Sequence, residues 1–447
     1  MLLLTASWAP LVGALLTATT VGAAPPPLGA PPQADGRQLA AELGCGGCHA
    51  GMPEPSLARS RSPRFGPGAT PLPADFVFEY LADPQRRRND IGPTRMPDFA
   101  LDERERLALA LFLGTSDERT GAMDVARARH RDVDAALGRR IFDHLGCAGC
   151  HEGALDESSP RGPDLSREGV RVRSAWLRAF LHRPTPVRRD GHPGAPASRM
   201  PDFQLMTEEA AALVGFLEEL GDRFAEVDAS PLTPAQARRA RTSLQKRLAC
   251  LGCHEVGSEG GRIGPSLNGL SERVQPAFVL EMILDPGRAA PGSPMPHQPI
   301  PEADARRLAR YLWNLDGVRQ PVERRSLADA DHPAWTAATT GSPGPAAELY
   351  GRHCVACHGE SGGGDGWNAA WLPVRPTIHS DSALMSRRAD DTLFDGIHAG
   401  AWVLDGSPRM PPFGGLLTAS EIRGLVAHIR RLCSCRPPSW SRDGVRR

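Results

Sequence analysis

Apolar residues recur at three- and four-residue intervals in four separate stretches, Glu103 to Leu113, Glu208 to Leu220, Glu302 to Leu315 and Ser420 to Leu432. That period predicts helices with one buried face. An earlier set of apolar runs predicts a second kind of helix. These are Phe76 to Leu81, Trp176 to Leu181 and Phe278 to Leu284, expected to stop by Pro84, Pro184 and Pro286, since proline disfavours helix in the residue before it. Shorter amphipathic stretches stand further upstream, at Gly36 to Leu43, Leu137 to Phe142, Ala240 to Leu244 and Glu348 to Gly351. No stretch alternates convincingly with a period of two. The pattern predicts an all-α protein, with about three helices and long Pro/Gly-rich loops repeated four times.

Each leading helix runs into the same five-residue pattern. It is Cys45-Gly46-Gly47-Cys48-His49, then Cys147-Ala148-Gly149-Cys150-His151, Cys250-Leu251-Gly252-Cys253-His254 and Cys354-Val355-Ala356-Cys357-His358, spaced 102, 103 and 104 residues apart. C-x-x-C-H is the attachment signature of c-type haem. Two thiols three positions apart add to the vinyl groups of one haem, and the following imidazole reaches the iron. Eight of the ten cysteines fall in this pattern. A lone C-x-x-C could be half a zinc site or a redox dithiol, but four in phase, each after an amphipathic helix and each with histidine, leave little room for either, and a disulfide framework would not need the histidine. The expected proximal ligands are therefore His49, His151, His254 and His358.

The sixth ligand is expected from a Met-Pro pair in each repeat: Met96, Met200, Met295 and Met410, lying 47, 49, 41 and 52 residues after their histidines. Methionine sulfur favours ferrous iron and raises the potential. The bland alternative for any methionine is core filling, expected here of Met206 and Met282. In the first repeat Met52 is too close to His49, and Met123 and His130 fall in a linker. The third repeat is the most ambiguous, because His297 competes with Met295 and an open position is a further alternative. His182 and His192 rival Met200 without the support of repetition, and His379 and His398 are expected at the surface or behind the ligands. Carbonyls of Pro163 and Pro265 are expected to take the second ring N–H of the histidines of their own repeats, with Pro55 or Pro67 doing so for His49. Arg95, Arg199 and Arg409 pair with haem propionates or stand in solvent.

Composition adds boundaries. Aromatic content is only 5% while Gly and Pro number 47 and 43, a balance that four bound haems reconcile by supplying apolar plates. Charge is balanced at 52 basic and 52 acidic residues, and no basic arm suggests nucleic acid. Residues 1–24 predict a signal peptide or uncleaved anchor, with Val21-Gly22-Ala23 as a cleavage site but no basic residue before the apolar run. A Pro/Ala-rich tether at 25–33 follows. The expected domains are 34–120, 133–225, 235–318 and 344–435, with a linker at 319–343 and a tail at 436–447. Cys433 and Cys435, two positions apart, are expected to be unable to bridge each other easily, leaving free thiols or an intermolecular bridge.

The chain from Gly36 to Cys435 resembles the class I cytochrome c family. The fourth repeat is nearest, with Leu349-Tyr350, Cys354 to Gly359, Gly364-Asp365-Gly366 and Met410-Pro411 similar to small bacterial cytochromes and to haem domains fused to respiratory enzymes. Gly264-Pro265-Ser266-Leu267-Asn268-Gly269-Leu270 resembles the family's loop after the motif. The resemblance implies four tandem helical cytochrome c domains, four covalent haems and electron transfer. The expected protein is an exported or periplasmic tetrahaem carrier, free or membrane-associated, exchanging electrons with a dehydrogenase or terminal oxidase. A peroxidase-like oxidoreductase with one open haem, or a cytochrome subunit of a membrane complex, is the alternative.

Overall fold

The computed structural model describes residues 35–54, 62, 65, 72–84, 96–115, 121–150, 162–185, 187, 200–315, 326–329 and 345–440. The expected signal segment and tether, His151, His192, Pro55, Pro67, Arg95 and Arg199 lie outside them, as do most of the 319–343 linker and the end of the tail. Among the described residues the protein is all-helical, and strand-like pairing is confined to isolated bridges. No described helix is long and apolar enough to cross a membrane.

Among the described residues, thirteen helices have seven or more residues: α1 Gly36–Glu42, α2 Ala74–Tyr80, α3 Glu103–Leu113, α4 Gly121–Arg129, α5 Ala135–Leu145, α6 Ser174–His182, α7 Thr207–Glu218, α8 Pro234–Lys246, α9 Pro276–Leu284, α10 Glu302–Trp313, α11 Pro345–His353, α12 Asp390–Ala399 and α13 Ala419–Leu432. Their starts follow local chemistry. Asp102, Thr233 and Thr418 cap α3, α8 and α13 in reciprocal capping boxes with Glu105, Gln236 and Glu421, which satisfy N–H groups that the helix itself leaves free. Two helices were not expected. The linker after the first repeat contains α4, which is largely polar and buries only Met123 and Ala126. The fourth repeat contains α12.

The third and fourth repeats close on themselves, with α8 against α10 and α11 against α13. The first two do not. Helix α1 packs against α7, the last helix of the second repeat, while α5 packs against α3, the last helix of the first. The expected boundary between 34–120 and 133–225 therefore does not separate two cores. One core joins α2, α3, α4 and α5 around Phe78, Leu107, Ile141 and Phe142. Another joins α1, α6 and α7 and continues into the third repeat, and a third belongs to the fourth repeat.

The two crossed contacts are alike in detail. A Cβ on Gly36 would strike the carbonyl oxygen of Ala212, and one on Gly138 would strike that of Ala108. Both glycines lie nine positions before their first motif cysteine, and both alanines twelve positions after the Met-Pro methionine. Only glycine lets the helix backbones approach so closely. Asp98 and Asp202 also pair with each other, each N–H donating to the other's carbonyl at 2.8 Å. The two equivalent loops thus meet antiparallel.

Further contacts tie the repeats together. Arg173 donates its backbone N–H to Arg273 O and Gln275 to Arg171 O, both at 2.9 Å, across the Val172–Val274 bridge. Leu327 and Ala328, in the expected linker, are buried beside α3, where Leu327 N–H donates to the buried Glu105 carboxylate at 2.6 Å.

Cys433 and Cys435 form a disulfide, contrary to expectation. Cys433 caps α13 and Ser434 takes a positive φ of 48°. The resulting reversal sets the two Cα atoms 5.1 Å apart, within bridging range.

Candidate haem-binding sites

In the first two repeats the leading helix ends at a glycine in the left-handed region, Gly44 at φ 73° and Gly146 at φ 71°. The chain then turns into a single 3-10 turn carrying Cys45 to Gly47 or Cys147 to Gly149. Residues with a Cβ rarely adopt that conformation. In the third repeat Cys250–Cys253 is one helical turn, and in the fourth Val355–His358 is another. The described disulfide joins Cys433 and Cys435, outside the four motifs, which agrees with motif cysteines kept for thioether bonds. Burial pushes the Cys45, Cys253 and Cys354 thiols up to about 12 and Cys250 to about 11. Thiols held protonated in this way are poor thiolate ligands. Among the described residues no three His, Cys, Asp or Glu side chains converge on a metal-sized site.

The described motif histidines share one geometry. His49 donates through Nδ1 to Pro163 O at 2.9 Å, His254 to Pro265 O at 2.7 Å and His358 to Thr377 O at 2.9 Å. A carbonyl can only accept, so the proton is fixed on Nδ1 and Nε2 is left as the ligand nitrogen. Burial lowers the affinity of His49 and His358 for a second proton, which favours the neutral imidazole that iron requires. Gly162 and Gly264 lie flat against the His49 and His254 rings, where any Cβ would enter the imidazole. Two thiols, an oriented imidazole and this glycine cradle fit a covalent c-type haem. The Pro265 expectation holds, whereas the Pro163 carbonyl takes the proton of His49 of the first repeat; His151, for which it was expected, lies outside the described residues.

The methionines fall in different surroundings. Met96 packs into the core of α2, α3 and α5 together with Cys147. Met200 packs with Cys45, Met52 and Phe203 into the core containing α1, α6 and α7. Met410 joins Cys354 in the fourth core. Met295 is half-buried ahead of the buried Pro296. Its rival His297 is exposed, with its side chain against Gly415 of the fourth repeat. His182 is exposed and bonds Leu205 O at 2.8 Å, and His130 bonds Glu103 at 3.0 Å. His398 is exposed and stacks on Phe394. His379 is not at the surface: it is buried, stacked on His358 at 4.0 Å, and shares a 2.9 Å hydrogen bond with Tyr350. Met206, expected in a core, is 49% exposed.

The motifs meet in pairs. A Cβ on Gly47 would come within 2.9 Å of Gly149 Cα, and Cys150 and Cys48 stand near enough to raise the Cys45 and Cys147 thiols electrostatically. In the second pair, Cys357 acts likewise on Cys253. Asn368, wholly buried, ties that pair together. It donates to Gly252 O at 3.0 Å and Cys357 Sγ at 3.2 Å, and accepts from Arg262 N–H at 2.7 Å. Nothing in the pattern of the sequence marks this asparagine. Arg409 lies in the same contact, its backbone against Gly252 and its Nη1 buried with no hydrogen-bond partner in the protein.

The family model described as cytochrome c matches residues 135–221. The model described as cytochrome C oxidase, cbb3-type, subunit III matches residues 342–429. No curated protein and no solved structure matches the chain. These two stretches are cytochrome c domains, so the chain carries the haem-binding, electron-transferring module of c-type cytochromes at least twice.

Proposed function

We propose that the protein is an exported tetrahaem c-type cytochrome that passes electrons between a periplasmic or membrane donor, such as a dehydrogenase, and an acceptor such as a terminal oxidase. A covalently held haem supplies an iron that cycles between ferric and ferrous states. The chain's contribution is to hold each histidine in one tautomer, to offer a methionine as the far ligand, and to set the motifs against each other. The ligands are His49, His151, His254 and His358 on one side and Met96, Met200, Met295 and Met410 on the other.

The observation that carries this reading is the pairing of motifs, Gly47 directly against Gly149, and Gly252 joined to Cys357 through Asn368. Such contacts would set the cysteines that hold two haems beside each other, which a relay needs and an isolated haem site does not. With a histidine and a methionine both holding its iron, each haem would have no open position for substrate, which favours carrier over enzyme. The match of 342–429 to a cbb3-type oxidase subunit model supports an oxidase as acceptor.

A redox titration followed in the visible spectrum tests the proposal. Four haems per chain, low-spin in both oxidation states, are expected. Carbon monoxide binding to a full equivalent of ferrous haem in the intact protein would overturn the carrier reading.

A further inference from the structure

We infer that the first two repeats exchange their far ligands: Met200 completes the haem on Cys45 and Cys48, and Met96 completes the haem on Cys147 and Cys150. The inference rests on the haem reading above and goes beyond it, because chain order alone pairs each methionine with the motif just before it.

Three independent contacts lead to the crossed pairing. His49 donates to the carbonyl of Pro163, which follows the second motif. Helix α1 closes on α7 and helix α5 on α3, through glycines and alanines at matching offsets. Met96 shares its core with Cys147. The fourth repeat is an internal control. There α11 closes on α13 of the same repeat, His358 donates to Thr377 of the same repeat, and Met410 shares a core with Cys354. In that repeat the methionine goes where the closing helix goes. Applied to the first two repeats, the same rule exchanges Met96 and Met200.

The contact between the two halves agrees. Asp98 and Asp202, each two positions after its methionine, pair their backbones antiparallel, so the two Met-Pro loops lie side by side. Each repeat still contains every part of a cytochrome in chain order, which is why a family model runs unbroken over 135–221. Exchange of equivalent elements between like units is a low-cost rearrangement, since the contacts are those of the closed unit. Its consequence here is interdependence. Neither of the first two haems gains its sixth ligand until the closing segment of the other repeat has been made.

The test uses the full chain matured with haem. In a Cys45→Ala/Cys48→Ala background, which carries no haem on the first motif, Met96→His and Met200→His are introduced separately. Haem per chain is measured first, to confirm loading of the others. The methionine–iron charge-transfer band and the low-temperature electron paramagnetic resonance spectrum are then compared. Exchange predicts that Met96→His converts one of the three remaining haems from His/Met to bis-His, while Met200→His changes none. In the reciprocal Cys147→Ala/Cys150→Ala background, Met200→His converts one haem and Met96→His is silent. The opposite pattern, or conversion or silence by both variants in one background, overturns the exchange. Failure of the tetrahaem reading is seen separately, as fewer than four haems in the unaltered chain.

Discussion

His49 donates its Nδ1 proton to the carbonyl of Pro163, 114 residues further along the chain, at 2.9 Å. The bond fixes the ligand tautomer of the first motif from a loop that follows the second. Gly162 makes it possible by leaving the imidazole room. In a Gly162→Ala variant the added methyl must displace the ring, an overpacking cost of about 1–3 kcal/mol. One haem of four should lose its low-spin signature, and that haem should be the one on Cys45 and Cys48. Peptide-resolved haem mapping with optical spectroscopy checks it. Gly264→Ala should act in the same way on the third haem alone.

The crossed helix contacts are open to the same approach. Gly36→Val should weaken the haem held by the first motif and Gly138→Val the second, each by about 1–3 kcal/mol, because the β-carbons would meet the carbonyls of Ala212 and Ala108. Denaturant unfolding followed at the haem absorbance provides the comparison.

Most helices were legible in the sequence because their apolar faces repeat with the helical period. The observed α3, α7, α10 and α13 lie within about two residues of the expected stretches. Helix α4 was hidden because only Met123 and Ala126 are buried along it, which leaves too little apolar signal among charged residues. The residues proposed to attach haem stand out in the sequence because that chemistry demands fixed spacing. The exchange was not legible. The two halves carry the same glycine, alanine and Met-Pro positions, so a leading helix fits either closing helix and chain order does not choose. The Cys433–Cys435 bridge depends on the positive φ of Ser434, a backbone state that serine does not advertise.

Asn368→Ala should loosen the contact between the third and fourth motifs. It strips partners from the Gly252 carbonyl and the Arg262 N–H, and a buried group left unpaired costs about 1–3 kcal/mol. The midpoint potentials of these two haems should respond less to each other in a titration, while those of the first pair stay unchanged.

His379 makes the fourth repeat sensitive to acid. Burial, with His358, Arg388 and His428 adding to it, holds its pKa down to about 2. The unfolded chain takes up a proton near 6.5, so the folded state binds fewer protons below that pH. The stabilisation is fully present above about 6.5 and is lost as pH falls from there toward about 2, by about 1.4 kcal/mol per pH unit. Melting of the wild type should therefore fall with acidification more steeply than that of His379→Gln. Equal slopes for the two would remove His379 from the account.

The disulfide gives a chemical count. With Cys433 paired to Cys435, and the other eight cysteines in thioether bonds as proposed, thiol titration of the denatured holoprotein should find none before reduction and two after it.

The central claim, four covalent haems on one chain, is tested most directly by the intact mass of the denatured, reduced holoprotein. The account predicts a single species heavier than the mature polypeptide by the mass of four haems, with attachment at Cys45/Cys48, Cys147/Cys150, Cys250/Cys253 and Cys354/Cys357. A mature chain carrying three or fewer, or one that releases its haem on denaturation, would contradict it.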